Sequence, residues 1–172
     1  MRSAKVAGFA LLLFALTGLA ACGGNSSSSP NKPTQSVLLA GGLGPNNAST
    51  ELYEVATNSF AHSGQTATLN ADCAVPTATL LNNGRLLIAG GYDPSSPILN
   101  SILNSTDLYD PTADTFASVA ETATMNVARR FDTATLLSND KVLMAGGEGD
   151  NGVFMASTEL YDPTNNTFTF AA

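Results

Sequence analysis

The chain writes one twelve-letter phrase three times. Ser105 to Phe116 reads STDLYDPTADTF, Ser157 to Phe168 reads STELYDPTNNTF, and a looser copy, STELYEVATNSF, runs from Ser49 to Phe60. Copies at a fixed period of roughly 20–50 residues mark repeat architectures. In these, one supersecondary unit cannot hide its apolar face alone and must stack on its neighbours.

Aligning the copies extends the repeat. VLLAGG (37–42), LLIAGG (86–91) and VLMAGG (142–147) open each unit with the pairs Gly41-Gly42, Gly90-Gly91 and Gly146-Gly147. Tyrosines follow at Tyr53, Tyr109 and Tyr161, and a phenylalanine always comes seven residues later, at Phe60, Phe116 and Phe168. The second Gly and the Tyr are 11, 18 and 14 residues apart, so length varies only there. That pattern predicts fixed strands with variable loops on one edge.

The letters themselves read as strands. TATLL occurs at 77–81 and 133–137, each leading into a turn, Asn82-Asn83-Gly84-Arg85 or Ser138-Asn139-Asp140-Lys141. An Asn-Gly pair between apolar runs predicts a hairpin, with both residues at positive φ. The uncharged runs of four at 86–89 and 142–145 are too short for helices and fit strands buried on both faces. A Gly pair then ends the strand where a neighbouring backbone needs the space. Asp110-Pro111 and Asp162-Pro163 predict turns opened by an Asp cap, and Asp114 is read as a further turn cap. Each unit is thus a four-stranded antiparallel meander. A single such sheet cannot cover its own faces, so the fold class is all-β, a partial β-propeller of about three blades.

The pattern TATLL-NNGR-LLIAGG…STDLYDP-T-x-x-TF resembles the bacterial kelch repeat, in its galactose-oxidase-like version. The resemblance runs from Val37 to the C-terminus, in units of about 37–72, 73–128 and 129–172. It implies that the Gly pair closes the second strand, the Tyr lies in the third and an aromatic opens the fourth. The usual Trp of that fourth strand is Phe here, and unit one lacks a clear first strand.

The first 21 residues are expected to lie outside any fold. Arg2 and Lys5 precede VAGFALLLFALTGLAA, sixteen uncharged residues, in the layout of a secretory signal. Leu19-Ala20-Ala21-Cys22 resembles the lipobox of bacterial lipoproteins, which implies diacylglycerol on the Cys22 thiol and cleavage before it. Residues 22–36 contain GGNSSSSPNK (23–32), a composition expected to make a flexible tether. The expectation is an extracytoplasmic protein held at a bacterial membrane by lipid. Gly23 implies the outer membrane in a double-membraned organism.

Composition removes several functions. The chain carries 7 basic and 14 acidic residues, net −7, and losing Arg2 and Lys5 would make it about −9. It offers nucleic acid no basic footprint. With Cys22 acylated, Cys73 has no internal partner and is either a buried thiol or a cross-link between chains. One Cys and the single His62 cannot build a zinc site. The copper site of galactose oxidase uses two histidines, so neither metal nor cofactor is expected. Glu148-Gly-Asp-Asn-Gly152 could offer oxygens to Ca²⁺ but has no EF-hand spacing, and is read as a solvated turn.

A binding surface is expected on the variable loops. Its candidates are Leu43 and Asn47 in the first, Tyr92, Asp93, Ile98, Leu99, Ile102 and Leu103 in the second, and Glu148, Asp150 and Phe154 in the third. The aliphatics of the second loop either meet a partner or fold back over their own blade. The expected role is non-catalytic binding of a protein or carbohydrate. The alternative is a piece of a glycan-active enzyme whose catalytic residues lie elsewhere. Three blades are fewer than the about four to eight that close a propeller. Two copies completing a ring, an open arc, and a fragment of a longer protein all accommodate that shortfall.

Overall fold

The computed structural model describes the backbone of residues 14–17 and 35, and residues 36–42, 48–61, 67–96 and 101–171 in full. Cys22, Leu43, Asn47, His62, Ile98 and Leu99 lie outside the described residues. What is described is all-β, in three four-stranded antiparallel sheets stacked as blades of a partial β-propeller. Blade one runs β1 (Phe14–Thr17), β2 (Gln35–Ala40), β3 (Thr50–Glu54) and β4 (Ser59–Phe60). Blade two holds β5 (Thr77–Leu80) and β6 (Leu86–Ala89), then a small hairpin of β7 (Tyr92–Asp93) and β8 (Ser101–Ile102), then β9 (Thr106–Asp110) and β10 (Thr115–Phe116). Blade three runs β11 (Thr133–Leu136), β12 (Val142–Ala145), β13 (Thr158–Asp162) and β14 (Thr167–Phe170).

One element departs from the sequence reading. Phe14–Thr17, read as part of a leader outside any fold, pairs with β2 from Phe14↔Leu38 to Thr17↔Gln35 and supplies the first strand that unit one lacks. The reason is an empty edge: β2 pairs with β3 on one side only, and an uncharged stretch satisfies the other.

The hairpin turns also differ from expectation. Gly84 N–H donates to the Leu81 carbonyl at 2.9 Å, which makes Asn82 and Asn83 the central turn residues, and of the Asn83-Gly84 pair only Gly84 has positive φ, +85°. This is a type I turn closed by a single left-handed residue, rather than a two-residue turn with both residues left-handed. Asp140, φ +67°, fills the same position in blade three.

The fixed Tyr-to-Phe spacing has a structural cause. Tyr53, Tyr109 and Tyr161 each donate their hydroxyl to the side chain five residues on, at Asn58 (2.6 Å), Asp114 (2.8 Å) and Asn166 (3.1 Å). Those acceptors all have positive φ, between 50° and 53°, a conformation Asn and Asp tolerate. Each Tyr ring then meets the Phe seven residues on, with centroids 5.0–5.1 Å apart. Asp114 is therefore the Tyr109 acceptor rather than a cap. Asp110 and Asp162 are caps, accepting from the Thr112 and Thr164 N–H groups at 2.9 Å.

Two apolar cores separate the blades. Leu38 and Ala40 of blade one pack with Leu86, Ile88 and Tyr109 of blade two. Leu87, Ala89 and Leu108 of blade two pack with Val142, Met144 and Tyr161 of blade three. Alternate residues of one strand thus feed opposite junctions, which is why 86–89 is apolar without a break.

Candidate functional site

The segments entering blades two and three cross the Gly-pair end of the molecule. Each is fastened by an acid on the third strand of its own blade. Asn70 donates its N–H (3.2 Å) and its side-chain amide to Asp107, and Asn126 does the same to Glu159 at 2.7 and 2.8 Å. Burial raises the Asp107 carboxyl above its ordinary value, and the Asn70 bonds oppose that rise. Thr106 donates its hydroxyl to the Ala123 carbonyl, and Thr50 donates to that of Ala67. At Gly90 and Gly91 a side chain would collide with the Arg129 and Ala74 carbonyls, and both have positive φ. The close backbone approach expected of the Gly pairs is present here.

Where these segments meet, Arg130 organises a patch. Its guanidinium donates to Glu148 Oε1 at 2.7 Å and lies 5.4 Å from the Tyr92 ring centroid and 5.1 Å from that of Phe131. Cation–π contacts act within about 6 Å. The Arg130 and Glu148 side chains are 14% and 13% exposed, so the pair is largely withdrawn from water, while Phe131 is 59% exposed. Phe131 holds φ +57°, as Val75 holds +48° at the matching point of blade two. For side chains of this kind the left-handed region is strained. Strain of this kind collects at functional positions.

Beside them sits Asp132, buried, with neither carboxylate oxygen completing a hydrogen bond. Burial pushes its carboxyl up to about 6, although its own N–H, the Arg129 charge and the nearby Thr77 hydroxyl oppose the rise. In the segment entering blade two, Cys73 is a buried thiol, donating to the Gly90 carbonyl at 3.1 Å. Burial first, then the negative charges of Asp107 and Asp93, push it up to about 12. A thiol so placed is no nucleophile.

The structure gathers some of the expected loop residues and leaves others apart. Tyr92 and Glu148 meet through Arg130. Phe154 bridges to Glu148 through the backbone and is 84% exposed. Ile102 pairs with Tyr92, and Leu103 packs into the first core, so this part of the second loop folds back on its own blade. Asp93 caps the Ser95 N–H at 2.7 Å, and Asp150 opens a short 3-10 turn. Arg130, Phe131 and Asp132 were not singled out from sequence. They occur once, where unit two has Ala74, Val75 and Pro76, and that break in an otherwise faithful alignment is the signal that marks them.

Chemically, the patch is a charge-balanced aromatic surface with carboxylates at its rim. It can stack on an apolar face and accept hydrogen bonds. Among the described residues no three His, Cys, Asp or Glu side chains come together to hold a metal ion. At the opposite end, a groove of about 280 Å³ lies between Arg85, Asp110 and Glu121.

A Kelch motif model matches residues 74–122. A galactose oxidase of Gibberella zeae is 29% identical over 98 residues, which is 57% of this chain and 13% of that protein. Among solved structures, a fungal alcohol oxidase of the AA5 family in complex with copper superposes with a TM-score of 0.57 and 22% identity, covering 78% of this chain and 27% of the other. A protein named YjhT superposes with a TM-score of 0.64 and 12% identity, covering 80% and 47%. The chain thus spans a small part of the curated relative. These likenesses support kelch-type propeller blades. The donor groups described here do not fit a copper site.

Proposed function

We propose that this protein is a binding module of the kelch-propeller type, lipid-anchored outside the cytoplasm and without catalytic activity of its own. The observation that carries the reading is the Arg130 patch. An exposed ring at Phe131 is held in a strained conformation against a charge-balanced cation largely withdrawn from water, at the end of the blades where the variable loops gather. Rigid aromatic surface of this kind suits recognition of a protein or a carbohydrate. Cys22 is the proposed acylation site, and two or three acyl chains would supply firm attachment where one would not.

The test has two parts. Bacteria expressing the full chain are fed an alkynyl fatty acid. Label should appear on the protein and vanish in Cys22→Ala, and label retained in that variant would sink the anchor. The purified chain is then screened against immobilised oligosaccharides and against outer-surface proteins. Binding should weaken at least tenfold in Phe131→Ala. A second reading, that the chain is part of a glycan-active oxidase, is favoured by the 98-residue likeness to galactose oxidase. Peroxide release from galactose by the purified chain would establish it and overturn the non-catalytic reading.

A further inference from the structure

The two outer blades leave complementary halves of one junction exposed, and we infer that a second copy of this chain joins them. Every blade–blade junction in the structure is built to one plan. The earlier blade offers the second and fourth residues of the apolar run of four before its Gly pair, and the Leu of its third strand: Leu38, Ala40 and Leu52 at the first junction, Leu87, Ala89 and Leu108 at the second. The later blade offers the first and third residues of its second strand, its Tyr and its Phe, with a third-strand acid beneath. That acid, Asp107 or Glu159, is 8% or 0% exposed.

Blade one carries the later-blade half on its outer face, with no described blade packed against it. Val37 pairs with Tyr53, and Tyr53 with Phe60, in one row, and Leu39 pairs with Glu51 in the next. Phe60 is 51% exposed, where its counterparts Phe116 and Phe168 are partly buried against a core. Glu51 stands where Asp107 and Glu159 stand, yet it is exposed, and no described residue bonds its carboxylate. Blade three carries the earlier-blade half. Thr135, Leu143 and Leu160 share a row across β11, β12 and β13. Thr135 is exposed although its counterpart Thr79 is buried at 6%, its hydroxyl without a partner.

A face of one kind at one end and its complement at the other make a heterologous contact, which either closes into a ring or runs on as a filament. Two copies of the three described blades would make six, within the about four to eight at which propellers close. The geometry points to a closed two-copy ring with two identical junctions, blade three of each copy against blade one of the other.

The experiment measures mass by sedimentation equilibrium of the full chain in density-matched detergent. Wild type should sediment at about twice the mass of one copy, which is 17.6 kDa before any leader is removed. Glu51→Arg and Thr135→Arg change exposed side chains on the two faces, and each alone should halve the mass. An equimolar mixture of the two should regain the doubled mass, because one variant keeps the face the other has lost. Val119→Arg, at a residue 70% exposed and away from both faces, should leave the mass unchanged. Far-ultraviolet circular dichroism confirms that each variant keeps its sheet. A wild-type monomer, a variant effect at one face only, or a mass that climbs past two copies as concentration rises would each overturn the proposal.

Discussion

Arg129 and Glu159 meet at 2.8 Å with both side chains wholly out of solvent. The Glu159 carboxylate also accepts from the Asn126 and Val127 N–H groups at 2.7 and 3.0 Å, while Arg129 reaches the Gly146 carbonyl at 2.8 Å. Blade three and the segment entering it are therefore fastened by one buried pair. Blade two manages with Asp107 and Cys73 at the same positions. Removing one partner strands the other charge. Glu159→Ala should cost about 3–5 kcal/mol, read as a lower urea midpoint. A loss under about 1 kcal/mol would show that the pair does not hold the junction.

The Tyr–Asx latch predicts a graded series. Asp114→Asn should be nearly neutral, within about 0.5 kcal/mol, because blades one and three already use Asn58 and Asn166 there. Asp114→Val should destabilise by at least about 1 kcal/mol, since it loses the Tyr109 bond and forces a β-branched residue to φ +50°. Thermal melts of the two variants check the order, and equal melting temperatures would refute the latch.

Asp132 gives the protein a pH dependence of known sign. Its folded value is raised to about 6 from an ordinary 3.8, so between those values the folded chain binds more protons than the unfolded one. Stability should therefore rise as pH falls from about 6 towards 4 and should be lower at pH 7. Two units correspond to about 2–3 kcal/mol. Asp132→Asn should flatten that slope and raise stability at pH 7. Urea titrations at pH 4, 5, 6 and 7 measure it, and an unchanged slope in the variant would remove Asp132 from the account.

The Cys73 thiol gives the opposite end of the pH scale. It stays protonated in the folded chain to about 12 and ionises near 9 when unfolded. Stability should fall as pH rises above about 9, and Cys73→Ala should lessen that fall. A disulfide-exchange reagent at pH 8 should leave native Cys73 unlabelled for as long as the fold lasts and label it at once in urea. Prompt labelling of the native chain would contradict the burial.

Much of the architecture was legible because it is periodic. The Gly pairs, the Tyr-to-Phe interval and TATLL each recur, and each marks a strand or its end. A second repeat went unread: TATLN at 66–70 and TATMN at 122–126. The described parts of these segments wedge between blades and carry the Asn70 and Asn126 bonds. Being polar and small, they resemble loop, and only their recurrence gives them away. The first strand of blade one was illegible for another reason. Its apolar residues fit a leader as well as a sheet, and composition alone does not separate the two. The Arg130 patch occurs once, so the sequence shows it only as a break in the repeat, where unit two has Ala74, Val75 and Pro76.

Phe14–Thr17 gives blade one its fourth strand, and so links the proposed processing to shape. Were the proposed leader removed before Cys22, those four residues would leave with it. The far side of β2 would then be a free strand edge, with backbone groups open to another strand.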